Sequence, residues 1–261
     1  MADYQKIAKT IRLDVLDMIY KAQTSHIGSN FSCVDILAVL HEKMNLDKTL
    51  KPDRDRLIYS KGWAAATAYA FLRRKGILNK RDIQNFGKGK LLGLIEKGAR
   101  GIEASTGSMG HGLPIGLGMA LGAKRAGDKW KTYVLMSDGE MDCGTTWESA
   151  LIAAHHKLDN LIVIVDYNKL QAMGRTNEVL NIEPLVDKWK AFGWEVRKID
   201  GHNFREIEGA IVCPPLYHEK PIVIIANTIK GKGVSFMENK VLWHYKNIDD
   251  KEYNEACVEL L

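Results

Sequence analysis

The sequence predicts an α/β fold, a parallel sheet with helices on both faces, in a single domain covering residues 1–261. Three observations predict it. The runs TYVLM (132–136), LIVIVDY (161–167) and PIVIIANT (221–228) are apolar almost throughout, as strands buried on both faces are. Between them lie stretches with helical spacing. Each run also ends in polar residues, at the edge where open α/β sheets bind ligands.

The elements follow in order. Ile7, Ile11, Val15, Met18 and Ile19 recur at helical spacing and predict an opening amphipathic helix. The Ser/Gly-rich stretch TSHIGSNFS reads as a break before a second helix from about Cys33 to Lys43. Residues 53–60 read as a short strand, and AAATAYAFLRRKG as a helix stopped by Gly76. A glycine-rich helix (114–126) leads into the 132–136 strand, and a helix over about 145–157 precedes the 161–167 strand. A helix over Leu185–Phe192, the strand WEVRKID and a helix after Asn203 come before the last strand.

Composition excludes several classes. With 46% hydrophobic and 26% charged residues and six prolines, the chain is an ordinary globular one. A net charge of +5 is too mild and too dispersed for a nucleic-acid stripe, and the basic stretch from Lys75 to Arg100 reads as a solvated loop. Four scattered cysteines without a C-x-x-C pair argue against zinc or a disulfide framework and fit a reducing, cytoplasmic setting. The N-terminus shows no apolar signal region. Residues 104–123 carry no Lys, Arg, Asp or Glu, but six glycines and a proline there suit a tightly packed loop and helix better than a membrane span.

Three strand ends carry chemistry: Ser137-Asp138-Gly139-Glu140, Asp166-Tyr167-Asn168, and Thr228 to Gly233. Asp138 and Asn168 lie 30 residues apart, with one helix and one strand between them. On neighbouring strands their side-chain oxygens converge. A carboxylate, an amide oxygen, a backbone carbonyl and phosphate oxygens make a hard-cation site of the Mg²⁺ or Ca²⁺ type. Gly139 lets backbone N–H groups approach a phosphate closely. Taken singly, Asp138 reads as a helix cap and Asn168 as a turn residue; the pair at this spacing points instead to the cation site.

That pattern resembles the thiamin diphosphate motif, G-D-G followed about thirty residues later by Asn. The resemblance extends to the N-terminal, diphosphate-type domain of transketolase, in its form divided between two polypeptides. It is carried by SHIGSNFSCVDIL (25–37), LIYSKGWAAATAYA (57–70), GIEASTGSMGHGLPIGLGMALG (101–122), residues 137–171, KWKAFGWEV (188–196), IDGHN (199–203) and TIKGKGVSFME (228–238). The resemblance implies that Asp138, Asn168 and the Leu170 carbonyl hold Mg²⁺, with Ca²⁺ as a substitute. It implies that Gly107, Ser108, Met109, Gly139, Asn168, His244 and Trp63 line the thiamin diphosphate site. His26, His244 and Glu148 would be catalytic, the two histidines beside the substrate.

The resemblance also implies a two-carbon ketol transfer from a ketose, or its phosphate, to an aldose. It further implies a separate subunit carrying the pyrimidine-binding and C-terminal domains, in an α2β2 assembly, because no second α/β series follows in this chain. Four positions depart from the family pattern: Trp63 for a histidine in S-K-G-H, Leu94 for a histidine after L-L-G, Cys143 for a glutamate, and Tyr245 for the glycine of W-H-G-K. An apolar Leu94 beside a donor C1 hydroxyl would cost about 1–3 kcal/mol. A methyl-bearing donor, such as a 1-deoxyketose or 2-oxo acid, or an unusual sugar in a specialised biosynthesis, is therefore an alternative. A non-catalytic phosphate- or nucleotide-binding module is the alternative from another class.

Overall fold

In the computed structural model, which describes residues 3–213, 216 and 219–261, the chain opens with helix α1 (Tyr4–Ala22). Asp3 caps it by accepting from the Lys6 N–H, and the predicted apolar stripe is buried. The Ser/Gly-rich stretch is not a break but a further helix, α2 (Ile27–Ser32), ahead of α3 (Val34–Lys43). A tertiary hydrogen bond overrides its weak propensity: Asn30 Oδ1 accepts from the Thr67 N–H at 2.9 Å, while its Nδ2 donates locally to the His26 carbonyl at 2.9 Å. Strand β1 (Arg56–Tyr59) and helix α4 (Ala65–Arg74) follow, and Gly76 leaves α4 at φ +70° as expected.

The basic stretch holds one short helix, α5 (Lys80–Gln84), closed by an Asn79–Asp82 capping box. The α/β series then runs α6 (Gly112–Ala126), β2 (Thr132–Ser137), α7 (Gly144–His155) and β3 (Leu161–Tyr167). It continues through α8 (Thr176–Val179), α9 (Leu185–Ala191), β4 (Glu195–Asp200), α10 (Phe204–Val212) and β5 (Ile222–Asn227). A last helix, α11 (Asp250–Leu260), lies beyond the predicted elements and starts at an Asp249–Glu252 capping box.

The five strands form one all-parallel sheet in the order β1-β2-β3-β5-β4. Alternate residues feed two apolar layers. Leu57, Tyr59, Tyr133, Leu135, Ile162 and Ile164 pack with α1, α3 and α4 on one face. Ile58, Val134, Met136, Val163 and Val165 pack with α6, α7 and α9 on the other, where Trp189 is fully buried beside Trp147 and Trp194. Both faces of β3 are therefore covered, which explains its unbroken apolar run.

Helix α6 departs from the expected tight packing on one side. Gly116 abuts the sheet, and a Cβ there would fall 2.5 Å from Val134 Cγ2, but Gly118 and Gly122 face outward. Among the described residues, no helix is long and apolar enough to cross a membrane. All four cysteines are thiols.

Candidate active site

Register brings the predicted strand ends together. Because β2 and β3 pair in parallel with Ser137 opposite Asp166, the residues after each strand emerge side by side. Asp138 is buried there; its Oδ1 accepts from the Gly139 N–H at 2.9 Å and its Oδ2 from the Lys169 N–H at 2.6 Å. Asn168 Oδ1 accepts from the Leu170 N–H at 3.0 Å. Burial, with the Asp166 charge nearby, pushes the Asp138 carboxyl up to about 6.

Two lysines to which the sequence alone assigns no role lie against this corner. Lys61, following β1, is buried against Asp166 and also donates to the Ser29 carbonyl at 2.7 Å and Ser32 Oγ at 3.0 Å. Burial opposes both charges of that pair, but their mutual attraction prevails: Lys61 lies above its ordinary value and Asp166 below. Thr228 at the end of β5 donates to the same carboxylate. Lys230 is fully buried and reaches Ser29 Oγ at 3.1 Å, the Leu170 carbonyl at 3.2 Å and His244 Nδ1 at 2.8 Å. None of these partners is a carboxylate, and burial together with the Lys61 charge lowers Lys230 to about 7. The signals for both were present, as S-K-G after β1 and T-I-K-G-K-G after β5.

Asp138, Asn168, Leu170 and Lys61 line a cleft of about 590 Å³, with Asp166 and Lys230 buried behind its wall. His26 enters it with φ +71°, a left-handed conformation rare outside glycine, and its Nδ1 lies 2.7 Å from Ser25 Oγ. Trp63 stacks on the His26 ring with centroids 4.7 Å apart and planes 13° from parallel. Tyr245 and His244 meet the same ring edge-on at 5.4 and 4.8 Å. Burial, then the Lys230 charge, lowers His26 to about 4 and His244 to about 3, so both rings are neutral near pH 7. Neutral imidazoles here exchange hydrogen bonds with hydroxyls rather than hold fixed charge.

Of the predicted site residues, His26, Trp63, Gly107, Met109, Asp138, Gly139, Asn168, Leu170 and His244 all line the cleft. Ser108 does not; it borders a separate depression with Thr106, His111 and Pro114. Glu148 is exposed on α7 and stands outside the cleft. Leu94 is likewise not a lining residue: its side chain presses on Gly107, where an added Cβ would fall 2.2 Å from Leu94 Cδ1. Of the four departures from the family pattern, Trp63 and Tyr245 line the cleft and Leu94 and Cys143 do not.

The donor set suits a shared cation. Among the described residues, no three His, Cys, Asp or Glu side chains form an all-protein cage. One carboxylate, one amide oxygen and one carbonyl fit Mg²⁺ that takes its remaining oxygens from phosphate and water. Lys230 lies behind the Leu170 carbonyl with only uncharged hydrogen-bond partners, so an anion bound in the cleft would favour its protonated form.

Comparison with known proteins agrees with this geometry. The family model "Transketolase, thiamine diphosphate binding domain" matches residues 3–259. The chain is 38% identical over 256 residues to a subunit of the apulose-4-phosphate transketolase of Phocaeicola vulgatus, covering 95% of this chain and 90% of that one. It is 39% identical to the 6-deoxy-6-sulfo-D-fructose transketolase subunit SqwG of a Clostridium species, covering 99% and 96%. The crystal structure of Campylobacter jejuni transketolase superposes with a TM-score of 0.92 at 32% identity over 98% of this chain, which spans 42% of that enzyme. The chain belongs to the transketolase family, as its N-terminal, thiamine diphosphate-binding section.

Proposed function

We propose that this chain is the diphosphate-binding subunit of a two-polypeptide transketolase acting on a specialised sugar. The observation that carries it is the meeting of Asp138, Asn168 and the Leu170 carbonyl on one cleft wall at adjacent strand ends, with Lys230 buried behind it. Asp138, Asn168 and Leu170 would hold Mg²⁺, and Gly139 would face the cofactor's diphosphate, with the Lys230 side chain behind the Leu170 carbonyl. Gly107 and Met109 would border its rings. When bound, thiamin diphosphate supplies a carbanion centre and the electron sink that C–C cleavage needs.

The remaining work falls to this chain's own side chains. His26 and His244, neutral at working pH, are placed to donate to or accept from substrate hydroxyls and to move a proton between them. Trp63 fixes the His26 ring plane by stacking, and Tyr245 and His244 pack edge-on against the same ring. Ser108 and Glu148, outside the cleft of this chain, fit contacts with a second polypeptide rather than with the reacting atoms.

Three observations support a pyrimidine-binding partner polypeptide. The relatives named as transketolase subunits are similar to this chain over nearly their full length, and the chain spans only 42% of an undivided transketolase. Exposed Met109, Met173 and Tyr245 also ring the cleft as apolar surface to be covered. The same relatives favour a specialised ketose over the common pentose phosphates, as do the aromatic Trp63 and Tyr245. Mg²⁺ and the α2β2 stoichiometry belong to this proposal.

The test is a donor panel. The chain, purified with its partner polypeptide, thiamin diphosphate and Mg²⁺, is assayed for ketol transfer from ordinary, branched, deoxy and sulfonated ketoses. Cofactor-dependent transfer is expected, with common ketose phosphates among the poorer donors. No transfer from any ketose would overturn the enzymatic reading, and preference for common ketose phosphates would remove the specialised one.

A further inference from the structure

The turn that carries Lys230 is gripped at both ends from outside the cleft. At its start, Ile229 donates its backbone N–H to His202 Nε2 at 2.8 Å. At its end, the Lys232 carbonyl accepts from Arg12 Nε at 2.9 Å. One buried carboxylate joins the two grips. Asp35 takes a two-pronged pair from Arg12 at 2.8 and 2.9 Å, and its Oδ2 lies 2.7 Å from His202 Nδ1. Because Nε2 is the acceptor for Ile229, the ring proton sits on Nδ1 and points at Asp35.

The arrangement spans four parts of the fold: α1 supplies Arg12, α3 supplies Asp35, the turn after β4 supplies His202, and the turn after β5 is held. Burial would raise the Asp35 carboxyl, but the His202 hydrogen bond and the Arg12 charge outweigh it and hold the group below its ordinary value. Inside the grips the backbone has little slack. Gly231, at φ +79°, donates to the Gly28 carbonyl at 2.9 Å, and a Cβ there would fall 2.4 Å from the Met237 carbonyl oxygen. A lysine has a long flexible stem, so the placement of its ammonium depends on how firmly its backbone is fixed.

We propose that Asp35, Arg12 and His202 form a clamp that positions Lys230 beneath the diphosphate end of the cleft and thereby sets cofactor affinity. The proposal rests on the reading of Lys230 given above. Lys230 reaches the cleft through the carbonyl of Leu170, which lines it, and none of the three clamp residues lines it, so they are positioning residues.

The test is a double-mutant cycle on the full chain with its partner polypeptide, read as the affinity for thiamin diphosphate with Mg²⁺ by calorimetry. His202→Ala is expected to weaken binding about tenfold, the low end for outer-layer residues of such sites. His202→Gln, which still offers an acceptor to Ile229 and a donor to Asp35, should stay within about twofold of the native chain. In a Lys230→Met background, His202→Ala should cost less than about twofold more, because the residue being positioned is gone. Equal losses in both backgrounds, or native affinity in His202→Ala, would overturn the clamp. Should His202→Ala not fold, Arg12→Lys keeps the charge beside Asp35 and gives up the Nε donor; it should show the same loss and the same dependence on Lys230. Native affinity in Lys230→Met alone would instead remove the role given to Lys230.

Discussion

The floor of the cleft and its mouth are built on opposite principles. At the floor, Asp138, Asp166, Lys61 and Lys230 are buried, and hydrogen bonds tie them to strand ends of the same chain. At the mouth, Trp63, Met109, Met173 and Tyr245 are apolar and exposed, from 47% to 81%. Buried charges persist only where geometry satisfies them, whereas exposed apolar groups around a cleft mark surface awaiting cover. The chain therefore satisfies the polar floor of the cleft internally and leaves its apolar mouth exposed.

The largest effect expected is at the floor. Lys61→Met leaves Asp166 buried without its cation and should destabilise the chain by about 3–5 kcal/mol in urea unfolding. A loss under about 1 kcal/mol would show that the floor is not held by this pair. At the mouth, Trp63→His combined with Tyr245→Gly should leave folding intact and change the preference among donor ketoses by about 10- to 100-fold in kcat/KM ratio. Unchanged preference would take the specificity role away from the aromatic wall.

A smaller effect is expected from pH, at the boundary between the two regions. The folded chain resists protonating His26 and His244, lowered to about 4 and 3 from 6.5, while the unfolded chain protonates both near 6.5. The unfolded state thus binds more protons between these values, and stability falls as pH drops from 6.5 towards 4. An added anion such as pyrophosphate with Mg²⁺ raises both folded values, so it should flatten this dependence. A pH-independent unfolding midpoint over that range would contradict the buried, neutral assignment of the rings.

The same contrast explains what was legible in the sequence. The strands and the Asp138–Asn168 pair were readable because an apolar run and its polar end are local in the chain, and parallel register does the rest. Helix α2 was not, since its stability comes from Asn30 and Thr67, 37 residues apart. Lys61 and Lys230 were visible as motifs, but their roles depend on partners such as Ser29 and Leu170 far away in sequence. The resemblance points to Ser108 as a cofactor-lining residue and to Glu148 as a catalytic one, yet sequence order does not say which way a loop or helix residue faces. Leu94, read from the sequence as a direct contact, instead packs against Gly107 outside the cleft lining.

The most direct test of the central claim is a titration of thiamin diphosphate into the chain, alone and with its partner polypeptide, with and without Mg²⁺. The account predicts saturable, Mg²⁺-dependent binding, tightened by the partner and weakened at least about 100-fold by Asp138→Ala. Binding of a mononucleotide with no affinity for thiamin diphosphate under any of these conditions, or undiminished affinity in Asp138→Ala, would contradict it.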